Sequence, residues 1–119
     1  MGTTEMSRRL LAALCVVIVL ITPARALSDM QNQILEDIAQ VMAGTQVCKR
    51  YKLNTAFASV VSLRYGVPLT HAAVMKRIEE RAIFHANRIK GRSEEDICGA
   101  MLRLYGPEGT NIKGLIARN

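Results

Sequence analysis

Cys48 and Cys98 limit the fold of this 119-residue chain more than any other pair of residues. Their constraint depends on the first 26 residues. Arg8 and Arg9 supply a basic n-region, and Leu10 to Ile21 is an unbroken run of twelve apolar residues. Pro23 breaks that run, and Ala24-Arg25-Ala26 places small residues at −3 and −1 of a cleavage site before Leu27. This is the pattern of a secretory signal peptide over residues 1–26. Export brings the chain into an oxidising compartment, where an even number of cysteines reads as a disulfide framework. Cys15 lies inside the apolar run and is removed with it. Two cysteines remain, so the pairing is forced: Cys48–Cys98. The bridge closes a loop of about 50 residues, for which chain entropy gives roughly 4 kcal/mol.

The apolar run is about 18 Å long as a helix, short of the ~30 Å of a bilayer core. An uncleaved anchor is the alternative, and the small residues at 24 and 26 argue against it. Cys15 follows Leu14 within the run, where a lipidated cysteine does not belong. The expected location is periplasmic or extracellular, and the processed chain is not an integral membrane protein. Residues 27–119 are enough for one small domain. They carry thirteen Lys and Arg against nine Asp and Glu, a net of +4. That mild excess favours an acidic protein or an anionic surface as partner. Nucleic acid is not expected, since the chain is exported, lacks Trp and shows no recognition motif.

The pattern predicts an all-α fold, a small bundle of about four helices stapled by one disulfide. Ser28-Asp29-Met30-Gln31 fits a capping box. Ile34, Leu35, Ile38, Val41 and Met42 follow at helical spacing up to a stop at Gly44, with Asp29, Glu36 and Asp37 toward solvent. Over Thr45 to Lys52, another helical turn would point Cys48 and Tyr51 inward and Lys49, Arg50 and Lys52 outward. Asn54 or Thr55 caps a second helix to about Tyr65, with Phe57, Ala58, Val60 and Val61 as its apolar positions. Gly66 and Pro68 separate it from the longest element, about His71 to Lys90, capped by Thr70. Val74, Met75, Ile78, Ala82, Ala86 and Ile89 share one face there, beside a stripe of Arg77, Arg81 and Arg88. Gly91 stops this helix. Ser93 caps the last one, whose first turn holds Glu94, Glu95 and Asp96, where the dipole favours negative charge. Ile97, Cys98, Met101, Leu102 and Tyr105 form its inner side. Gly106-Pro107 ends it, with a turn through Gly109. The tail, residues 110–119, either folds back through Ile112, Leu115 and Ile116 or hangs loose.

No catalytic constellation, metal site or cofactor site emerges. His71 and His85 lie fourteen residues apart on one helix, about 21 Å, too far to share a metal. His71 reads as a helix start and His85 as a residue bordering the core. A cysteine nucleophile is poor, because a disulfide sulfur does not attack. Glu79-Glu80 and Glu94-Glu95-Asp96 are explained by a Lys76–Glu80 pair and by capping, and no Gly-x-Ser-x-Gly, His-Glu-x-x-His or phosphate-binding loop is present. Lys49, Arg50, Lys52, Arg77, Arg81 and Arg88 are the candidate interaction surface.

Three functions remain open. The first is a non-enzymatic exported protein that acts by binding another protein. The second comes from overall plan. A signal peptide, roughly 90 further residues, helical character and one long-range cysteine pair resemble the small acid-activated periplasmic chaperones of the HdeA type. That resemblance implies a stress holdase and carries no individual residue. Small periplasmic immunity proteins share the same outline. The third is a small enzyme or enzyme subunit.

Overall fold

The computed structural model describes residues 27–119. The signal peptide expected over residues 1–26, with Cys15, lies outside them. Among the described residues, four helices and a two-stranded ribbon follow in the order α1 (Asp29–Gly44), β1 (Tyr51–Leu53), α2 (Thr55–Arg64), α3 (Ala72–Ile89), α4 (Glu94–Tyr105) and β2 (Ile116–Arg118).

Helix α1 is the hub and packs on α3, α4, α2 and β1. Its capping box is complete: Gln31 N donates to Ser28 Oγ at 3.2 Å, and Ser28 N donates to Gln31 Oε1 at 2.8 Å. Ile34, Leu35, Ile38 and Val41 are buried, with Ala39 and Ala43 beside them. The helix is therefore apolar around much of its circumference, as a helix packed on several sides must be. Asp37 corrects the solvent-facing expectation, being buried, and Glu36 is half-buried. Both are accounted for by partners described below.

The chain is not purely helical. After α1, residues 45–47 form a turn rather than a new helical turn, and β1 follows. It pairs antiparallel with β2 in the register Tyr51↔Arg118, Lys52↔Ala117 and Leu53↔Ile116. Cys48 is fully buried and Tyr51 half-buried. Lys49, Arg50 and Lys52 are exposed. The ribbon also decides the fate of the tail, which folds back: Leu115 and Ile116 are buried. The Thr110 and Asn111 N–H groups donate to the Arg103 and Leu104 carbonyls, both at 3.0 Å. Those carbonyls would otherwise lack partners at the end of α4. Gly106 to Gly109 forms the expected turn, closed by Gly109 N donating to Gly106 O at 2.9 Å.

Helix α2 is capped by Asn54, whose side chain accepts from Phe57 N at 3.1 Å. Ala58 is buried and Phe57 and Val61 are half-buried, but Val60 is 60% exposed, a correction to its inward reading. The helix carries apolar residues in all directions, so packing one side leaves Val60 and Leu63 outside. Thr70 does not cap α3. His71 holds the N-cap position and its side chain makes no capping hydrogen bond. Gly91, at φ +87°, ends the α3 segment in the left-handed region that glycine enters freely. Ile78 is buried in α3, whereas Met75 reaches the surface. Ser93 caps α4 as expected, its Oγ accepting from Asp96 N at 3.1 Å. Ile97, Cys98, Met101 and Tyr105 are buried, while Leu102 is exposed, contrary to its inner-side placement.

The disulfide is formed. Cys48 and Cys98 are bonded with their Cα atoms 5.2 Å apart, joining the loop after α1 to α4. Among the described residues, no helix is long and apolar enough to cross a membrane.

Candidate functional site

The basic residues picked out by the sequence come from two parts of the fold. Lys49, Arg50 and Lys52 belong to the ribbon end of the molecule. Lys49 N donates to Glu94 Oε1 at 3.1 Å, Lys49 Nζ to Thr45 O at 3.2 Å, and Asn119 N to the Arg50 carbonyl at 3.0 Å. Arg77, Arg81 and Arg88 belong to α3, which packs chiefly on α1.

Within α3 the stripe is divided by function. Arg81 is half-buried and clamps Glu36 of α1: Nε lies 3.1 and 3.0 Å from the two carboxylate oxygens, and Nη2 lies 2.7 Å from Oε1. His85, also buried, meets the same oxygen through Nε2. The Arg81 guanidinium holds the Glu36 carboxyl below its ordinary value; burial opposes this, and His85 adds to it. Glu36 in turn raises Arg81. The charge of Arg81 is thus paired with Glu36 across α1 and α3. Arg77 and Arg88 remain exposed. The Lys76–Glu80 pair does not form; among the described residues the ion pairs are those of Glu36 with Arg81 and His85.

Between Arg81 and Arg88 lies a residue the charge pattern does not flag. Phe84 is 45% exposed, with the Arg81 guanidinium carbon 4.3 Å and that of Arg88 5.7 Å from its ring centre. Both guanidinium groups lie within cation–π range. Ile83, next to it, is 63% exposed. The signal was present in the sequence: on a helical wheel Phe84 falls about 60° from Arg81 and about 40° from Arg88, in the polar arc.

Asp37 organises a second polar group. Its Oδ1 accepts from Gln33 Nε2 at 3.3 Å, Tyr105 Oη at 2.8 Å and Asn111 Nδ2 at 3.2 Å. Tyr105 Oη also lies 2.6 Å from Gln40 Oε1, so its single hydrogen serves one oxygen at a time. Burial, then the bond to Asp37, pushes the Tyr105 phenol far above its usual range and keeps it a donor. These contacts tie α1, α4 and the tail together. Beside them a cleft opens between α1, α3 and α4, with Arg88, Arg92 and His85 among its lining. No group of three His, Cys, Asp or Glu side chains suited to a metal occurs among the described residues. No family model, curated protein or solved structure matches the chain.

Proposed function

We propose that the protein is an exported, non-catalytic module that binds another protein through the outward face of α3, in the periplasm or outside the cell. The observation that carries this reading is Phe84, half exposed between Arg81 and Arg88 with Ile83 beside it. Aromatic and arginine side chains contribute most to the energy of protein interfaces, and a ring already held by two guanidinium groups loses little freedom on binding. Arg77 and Arg88 give the face a positive rim, which suits an acidic partner. The secretory pattern of residues 1–26 and the Cys48–Cys98 bridge support placement in an oxidising compartment.

The test places a photo-crosslinking amino acid at Phe84 in the expressing cell, with a second at Glu108 as control. One discrete adduct from position 84 only is expected. Phe84→Ala and Arg77→Glu should each weaken capture of that partner. Adducts of equal yield from both positions, or capture indifferent to both substitutions, would remove α3 as the contact surface.

The Glu36 clamp favours a second reading, the acid-activated holdase. It joins α1 to α3 through a carboxylate, so acid weakens this contact, and Leu63, Val60 and Tyr65 already lie at the surface. A holdase suppresses aggregation of an unrelated client near pH 3 and not near pH 7. Inertness at both excludes it.

A further inference from the structure

The cleft between α1, α3 and α4 has a volume of about 280 Å³ and a lining that mixes apolar side chains with arginines. Ile97, Ala100, Met101 and Leu104 of α4 give it an apolar wall, faced by Ala43 of α1 and Ile89 of α3. Arg88 and Arg92 stand at its edge, and neither has a carboxylate in ion-pair contact among the described residues. The nearby acids are already committed. Glu36 is taken by Arg81 and His85, and Asp37 accepts three hydrogen bonds behind the Tyr105 phenol. Two guanidinium groups without carboxylate partners beside an apolar trough call for a ligand with one anionic head and a short apolar body. The volume sits just below the usual range for drug-sized ligands and equals roughly nine liquid waters, so the body is small.

We propose that this cleft binds a small amphiphilic carboxylate, its head held by Arg88 and Arg92 and a chain of about eight carbons laid against the α4 wall. The cleft shares Arg88 with the α3 face, where the same guanidinium lies 5.7 Å from the Phe84 ring, while Phe84 itself is not part of its lining.

Octanoate titrated into the oxidised, isotopically labelled protein tests this by NMR. Amide shifts should concentrate at Ile97, Ala100, Met101, Leu104 and residues 88–92, with a Kd on the order of 1 mM for so small a ligand. Arg88→Gln with Arg92→Gln should raise that Kd roughly tenfold or more, the value of losing charge-assisted hydrogen bonds. Both side chains are exposed, so the fold survives the change. Octanol should bind more weakly by a similar factor. Ala100→Leu, which fills the trough and leaves the charges, should block binding. Octanol binding as tightly as octanoate, an unaffected double variant, or shifts at Met30, Phe57 and Tyr65 instead would overturn the proposal.

Discussion

Glu36 and Asp37 are adjacent, and the helix turns their side chains about 100° apart. One meets Arg81 and His85 of α3, the other Tyr105 of α4 and Asn111 of the tail. The Glu36 carboxyl is held below its ordinary value of 4.5, so on acidification the unfolded chain takes up the proton first. The clamp's contribution is therefore whole above about pH 4.5 and is lost as pH falls through the folded-state value. Glu36→Gln should be less stable than the parent near pH 7, and the gap should narrow near pH 3. Urea midpoints at both values check this; a gap as wide in acid as at neutrality contradicts it. Neither acid could be placed from local pattern. A charged residue beside an apolar helical stripe reads as solvated, and the donors that reverse the reading lie 45 and 74 residues away.

At the scale of elements, the helices were legible because their signals are local. Ser28, Asn54 and Ser93 each accept from a backbone N–H three residues on, as their spacing predicts. The ribbon was not legible. Strands of three residues are too short to show alternation, and the register pairs Tyr51 with Arg118 across most of the domain. Val60 and Leu102 failed for a related reason: apolar residues outnumber the positions their helices can bury. The turn after α4 offers a direct check. A Cβ added at Gly109 would stand 2.5 Å from the Leu104 carbonyl oxygen, although the φ of Gly109 is not positive. That oxygen's neighbourhood is fixed, because Asn111 N donates to it at 3.0 Å. Gly109→Ala should cost about 1–3 kcal/mol by forcing the backbone apart. At Gly91 the added Cβ meets nothing, and Gly91→Ala should cost only about 1 kcal/mol for its left-handed backbone. Thermal melts of the pair rank the two causes; equal losses would mean that the close approach at Gly109 relaxes freely.

For the molecule as a whole, the decisive question is how much of its stability is covalent. The bridge joins residues 50 apart, and the closed loop contains β1, α2 and α3. Chain entropy assigns such a closure about 4 kcal/mol, against a total of about 5–15 kcal/mol for a domain. The junction it fastens has other ties: Glu94 accepts from Lys49 N, β1 pairs with β2, and β2 packs on α4. Those contacts define the geometry, while the bridge removes disorder from the competing unfolded chain. Breaking it should therefore leave the native arrangement intact at low temperature and lower the midpoint of unfolding. Cys48→Ala with Cys98→Ala should lower Tm by about 20 °C, from roughly 4–8 °C per kcal/mol in a domain of this size. The far-UV spectrum at low temperature should be unchanged. Because Cys48 and Cys98 are both buried, alanine also leaves a small void, so the oxidised parent should be compared with its own reduced form as well. If reduction shifts Tm by only a few degrees, the noncovalent ties already hold the loop closed in the unfolded ensemble. The dependence of this fold on an oxidising compartment would then be lost as an argument for export.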